Sequence, residues 1–154
     1  MPRFFSDPAS HTPEQKQAIA RSEAILADIA AADTILITTP MYNFGIPSAL
    51  KGWFDQVVRI NRTFSYDGKG FGGLVSVKKA YVVVAYGAPG YANDGSFAAA
   101  DFTAPYLKFI LGFIGITDVT IIPVEGTSTD TATLEQIQQA AIAALPVPGT
   151  SIAA

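Results

Sequence analysis

The sequence predicts a three-layer α/β domain built on a short parallel sheet. Three observations predict it. Residues 34–39 (TILITT), 79–86 (KAYVVVAY) and 118–124 (DVTIIPV) are short, apolar and rich in β-branched side chains. Runs without polar alternation are the pattern of strands covered on both faces. Helical segments separate them in the order α, β, α, β, α, β, α, which implies parallel strands joined by right-handed crossovers. The first two runs also lead into loops dense in turn-forming residues, at 41–46 and 87–96.

Each element has a local reason. Thr12, Pro13 and Gln15 form a helix start: Thr12 caps, Pro13 suits the first helical position and Gln15 completes a capping box. Ala18, Ile19, Ile25, Leu26 and Ile29 follow at helical spacing until the pattern runs out near Ala32 and Asp33. Pro40 ends the first strand. Pro47 opens a second helix with Leu50, Phe54, Val57 and Val58 on one side. Residues 62–73 are Gly-rich and aromatic and are expected to be an extended loop. Residues 101–115 form an apolar helix with Pro105 in its first turn, and 131–145 form the last helix. One domain over 1–154 is expected, with a loose tail at 146–154.

Composition narrows the function. Of 154 residues, 49% are hydrophobic and 15% charged, so the chain forms a core. A net charge of -3 without a basic cluster argues against nucleic acid. No cysteine is present, which removes thiolate chemistry and Cys-ligated metals and fits a cytoplasmic setting. The single histidine, His11, excludes two-His metal sites, and no G-x-S-x-G elbow is present. Neither a signal peptide nor a membrane span is expected. No metal site and no side-chain acid or base is assigned. If the chain is an enzyme, a borrowed cofactor is the better expectation.

In open α/β sheets ligands sit beyond the carboxyl ends of the strands. Met41, Tyr42, Asn43 and Phe44 hold that position after the first strand, and Ala85, Tyr86, Gly87 and Ala88 after the second. The first loop joins two aromatics, a methionine and an asparagine. It can lay apolar faces on a planar ring while backbone N–H groups meet the ring's edge. A flavin asks for both, but ordinary packing at a strand end explains the same residues equally well.

The run TPMYNFGIPSALKGWFDQVVRINRTFSY at 39–66, with LKFILGFIGITDV at 107–119, resembles the FMN-dependent NADH-azoreductase family of flavodoxin-like quinone and azo reductases. The resemblance implies a flavodoxin-like fold and FMN as cofactor, reduced by NADH or NADPH. A quinone or azo compound would then accept two electrons in a ping-pong cycle. It places Met41, Tyr42, Asn43 and Phe44 in the family's first isoalloxazine loop and Ala85, Tyr86, Gly87 and Ala88 in its second. There the family often carries Ser-x-Gly-Gly, so Ala85 and Ala88 depart from the pattern. Phe64 and Tyr66 match a region lining the substrate pocket near the interface of a homodimer.

Flavodoxin-like sheets use five strands in the order 2-1-3-4-5. The pattern here is that of such a fold lacking its first βαβ portion, including the Ser-rich loop that holds the FMN phosphate at a helix N-terminus. Ser6 and Ser10 follow no apolar run and are not assigned that role. The strand at 34–39 is then expected to be an exposed edge. Two competing readings follow: a truncated, non-catalytic remnant that does not retain FMN, and a flavodoxin-type electron carrier.

Other candidates carry less. Residues 68–73 (GKGFGG) satisfy G-x-G-x-x-G, but no strand precedes them and no helix follows, so a flexible loop is expected. Lys51, Arg59 and Arg62 are expected to be surface charges, and Lys78 and Lys79 solvated. Trp53 is expected in the core or an interface, and Asp101 as a helix cap.

Overall fold

The computed structural model describes residues 10–145. Ser6 and the expected tail at 146–154 lie outside the described residues. The chain runs α1 (Pro13–Ala31), β1 (Thr34–Pro40), α2 (Ser48–Val57), β2 (Phe64–Tyr66), β3 (Phe71–Gly73), β4 (Lys79–Ala85), α3 (Thr103–Ile114), β5 (Asp118–Val124) and α4 (Thr131–Ala143). A 3₁₀ turn at Ala98–Ala100 precedes α3. The main sheet has the order β1-β4-β5, with both pairings parallel. This is the parallel α/β arrangement that the alternating pattern predicts.

Helix ends follow their chemistry. The Thr12 hydroxyl accepts from Gln15 N–H at 3.3 Å, and the Gln15 side chain accepts from Thr12 N–H at 2.9 Å, closing the capping box. Asp101 Oδ1 accepts from Thr103 N–H at 2.8 Å and Ala104 N–H at 3.1 Å, so Asp101 caps α3 as expected. Gly115 ends α3 at φ +113°, a conformation that favours glycine.

Register decides the faces. Ile37 pairs with Val82, and Val82 with Ile121, so these three point the same way. With Ala80 and Val84 they meet Leu26 and Ile29 of α1, Phe54 and Val57 of α2, and Leu107, Leu111 and Ile114 of α3 in one apolar core. The opposite face carries only α4 among the described helices. It leaves an apolar cleft of about 250 Å³ between Val83, Ile122 and Val124 and the helix residues Gln138, Ala141 and Ile142.

That asymmetry corrects one expectation. The strand at 34–39 is not covered on both faces: Leu36 is 67% exposed, while Ile37 and Thr39 are buried. It does lie at a sheet edge, as expected. Its apolar composition records a strand that favours cover on both sides, and α4 does not reach β1.

Residues 62–73 form no extended loop. They hold the antiparallel hairpin β2–β3, in which Phe64 faces Gly73 and Tyr66 faces Phe71. Asp67 closes the turn by accepting from Lys69 and Gly70 N–H, each at 2.8 Å. The G-x-G-x-x-G run is therefore hairpin, not a strand-to-helix phosphate loop. The hairpin docks on the end of α3 through Val75 N–H to Ile114 C=O at 2.9 Å. Close approach requires glycine there, because a Cβ on Gly73 would sit 2.3 Å from Gly115 N.

Arg59 is not a surface charge. It is 2% exposed and donates to Ser22 Oγ at 2.9 Å and Glu23 Oε1 at 2.7 Å. Arg62 pairs with the other Glu23 oxygen, so one carboxylate of α1 gathers both arginines. Lys51 stays exposed and pairs with Asp55 one turn on. Lys79 is not fully solvated: it lies over the Tyr81 ring at 5.1 Å and near Asp118 at 3.4 Å.

Candidate functional site

β1 and β4 are hydrogen-bonded neighbours, so the loops that leave them start side by side. Met41 N–H donates to Ala85 C=O at 2.9 Å, which joins the two loop stems.

The first loop is a two-residue turn. Tyr42 and Gly45 exchange backbone hydrogen bonds at 2.9 and 3.0 Å. Between them Asn43 sits at φ +48° and Phe44 at φ +69°. Two consecutive left-handed residues define a type I′ turn, which suits Asn at the first position and Gly at the second. Phe44 stands where glycine is preferred. A bulky side chain in this region costs on the order of 1–2 kcal/mol, and such strain concentrates at ligand sites. The N–H groups of Asn43 and Phe44 donate to no acceptor among the described residues. Tyr42 is 63% and Phe44 49% exposed, with Met41 half-buried beneath them.

The second loop is built differently. Tyr86 does not stand at the surface. Its ring is buried, stacks on Tyr91 at 5.6 Å, and its hydroxyl donates to Asp101 Oδ2 at 2.9 Å. Burial, then the hydrogen bond and charge of Asp101, push the phenol well above its ordinary range. Its backbone is engaged as well, N–H to Val124 and C=O from Thr127. Tyr86 is therefore a support for the loop; Gly87 beside it is half-buried, and Ala88 and Pro89 are exposed. Gly87 keeps a free N–H among the described residues, and a Cβ there would meet Ser128 Oγ at 2.8 Å. The side chain of Ala85 is partly covered at the strand end.

Phe64 and Tyr66 are separated by burial. Phe64 lies inward, 4.9 Å from Phe113 and 6.0 Å from Phe71 between ring centres. Tyr66 is exposed and leans on Phe71 at 4.8 Å. Trp53 is half-buried, edge-on to Phe54 at 5.1 Å.

Two residues of this region escape a sequence reading. Phe102 donates its N–H to Phe44 C=O at 3.0 Å and leaves its ring 66% exposed beside the first loop. Glu125, at the carboxyl end of β5, turns its carboxylate into the second loop. Position offers the only signal for Glu125, since it is the residue directly after the apolar run of β5.

The family description "Flavodoxin-like fold" matches residues 2–145. An FMN-dependent NADH:quinone oxidoreductase of Hydrogenovibrio crunogenus is 44% identical over 138 residues, covering 89% of this chain and 67% of its own. The chain belongs to the flavodoxin-like family of quinone oxidoreductases and azoreductases. A protein of the same name from Xanthobacter autotrophicus is 48% identical over 118 residues, or 77% of this chain and 57% of the relative. Among solved structures, the azoreductase AzrA superposes with a TM-score of 0.77 at 26% identity, covering 92% of this chain and 68% of that one. An FMN-dependent NADH-azoreductase from Bacillus anthracis, solved in complex with FMN, gives 0.70 at 30% identity, covering 86% and 65%. The chain spans 57% and 58% of the length of two of its curated relatives. Among the described residues no helix is long and apolar enough to cross a membrane.

Proposed function

We propose that this chain serves FMN-dependent reduction of quinones and azo compounds by NADH, with the turn at 41–44 and the backbone of Gly87 and Ala88 as the two walls of the flavin site. The strained Asn43–Phe44 turn carries the reading, because it spends backbone energy to present two unsatisfied donors beside apolar rings. FMN, when bound, supplies a two-electron hydride relay, so donor and acceptor use one slot in turn, a ping-pong cycle.

The chain's own part is positioning. The N–H groups of Asn43 and Phe44 are donors suited to the ring's polar edge and to negative charge developing there. Met41, Tyr42 and Phe44 exclude water from a ring face. The exposed Phe102 and Tyr66 rings offer stacking surface to a planar acceptor. No side-chain acid or base is assigned. A homodimer is part of the proposal, supported by the exposed aromatic surface of Tyr66, Phe71 and Phe109 beside the hairpin.

The test is direct. Purified protein is mixed with FMN, desalted and assayed for NADH-dependent bleaching of an azo dye and NADH oxidation with a quinone. Retained yellow colour with both activities is expected. Colourless, inactive protein would reduce the chain to a folded domain without the cofactor. Sedimentation velocity reports the expected dimer.

A further inference from the structure

We propose that Glu125 is a positioning residue that latches the second wall of the site, an inference that rests on the flavin reading above. Its Oε1 accepts from three consecutive backbone donors, Gly90 N–H at 2.9 Å, Tyr91 N–H at 2.7 Å and Ala92 N–H at 3.0 Å. Convergent N–H groups of this kind form a nest that takes an anion. Here the anion is the chain's own carboxylate.

The surrounding bonds show what the latch holds. Gly126, at φ +75°, turns the chain back along the loop. Thr127 N–H then donates to Tyr86 C=O at 3.0 Å and Ser128 N–H to Gly87 C=O at 2.9 Å. Residues 125–128 therefore grip the second loop at its stem and at its bend. Between the gripped Gly87 and the bend lie Ala88 and Pro89, both exposed. The loop also closes on itself, Phe97 N–H to Gly90 C=O at 2.8 Å, with Gly95 packed so close that a Cβ there would lie 2.4 Å from Gly90 O. Removing the carboxylate leaves three donors of the nest unpaired and the bend without its fixed point. Water then hydrates those amides and 87–92 samples other conformations. A flavin would have to order the wall as it binds, and affinity falls by that cost.

The experiment compares wild type, Glu125→Ala and Glu125→Gln as full chains. It reads amide hydrogen exchange over 86–93 without ligand, FMN affinity by quenching of flavin fluorescence, and Tm. Charge-assisted hydrogen bonds of this kind are each worth about a tenfold change in an equilibrium. Glu125→Ala is therefore expected to expose the amides of Gly90, Tyr91 and Ala92 and to weaken FMN about tenfold or more. Glu125→Gln keeps a carbonyl oxygen in the nest and is expected to recover most of both. Unchanged exchange at those three amides in Glu125→Ala overturns the latch. Faster exchange with unchanged FMN affinity overturns its link to the site. An equal loss of protection throughout the sheet, not rescued by Gln, overturns a positioning role in favour of general stability. Wild-type protein that binds no FMN, while Glu125→Ala still frees the loop, refutes the flavin reading and leaves the latch standing.

Discussion

Phe44→Gly separates backbone strain from ligand contact, because it moves stability and binding in different proportions. At φ +69° glycine relieves about 1–2 kcal/mol of left-handed strain and completes the preferred Asn-Gly pair. Against that, glycine loses about 0.4–1 kcal/mol through the greater freedom of the unfolded chain. The ring, 49% exposed, forfeits about half of a buried side chain's contribution, roughly 1 kcal/mol. The sum lies within about 1 kcal/mol of zero, or about 4 °C or less in Tm for a chain of this size. A core phenylalanine behaves otherwise. Phe54, 1% exposed, should cost about 3–5 kcal/mol when cut to alanine. Thermal denaturation of both variants, with FMN titration of the first, makes the assay. Phe44→Gly should be nearly neutral in Tm yet weaken FMN severalfold. Destabilisation matching that of Phe54→Ala would mean the Phe44 ring is a core residue. Unchanged FMN affinity would remove it from the site.

Three more outcomes follow from the geometry. Gly73→Ala drives a Cβ against the Gly115 backbone and should cost about 1–3 kcal/mol, seen as a lower urea midpoint, whereas Gly52→Ala, with open space around it, should be neutral or slightly stabilising. Glu23→Gln leaves buried Arg59 without its carboxylate and should cost about 2–3 kcal/mol, less than a wholly buried pair because Glu23 is partly exposed; an unchanged Tm would contradict the network. Although burial pushes the Glu23 carboxyl up, its hydrogen bonds and attraction to Arg62 and Arg59 hold it below the ordinary value of 4.5. The stability it lends is thus present above that value and lost as pH falls through the lowered one, so an acid titration should lose part of its slope in Glu23→Gln.

The sheet was legible because parallel strands announce themselves in apolar β-branched runs, and α1 because Thr12, Pro13 and Gln15 write a complete cap. The hairpin at 64–73 was not. Its strands are three residues long and a third of their residues are glycine, so neither alternation nor propensity marks them, and their pairing depends on the end of α3. Arg59 looked like a surface charge because nothing local reveals Glu23, 36 residues away. At the site, MYNF was visible as an unusual loop, but its positive φ angles were not, since Phe44 disguises a turn that glycine would have declared. Tyr86 misled for a related reason: its position after a strand is right for a site, yet the ring turns inward to Asp101. Proline at position 43 would remove an N–H, but it also forbids φ +48°, so Asn43→Gly, which keeps both the N–H and the turn, is the control that should retain FMN.

Amide resonances of the isotopically labelled chain, followed during FMN addition, test the flavin turn most directly. The largest shifts are expected at Asn43, Phe44, Gly87 and Ala88, while Ala18 and Gln56, which line a separate groove between α1 and α2, stay still. Shifts centred on that groove, or none anywhere at millimolar FMN, would contradict it.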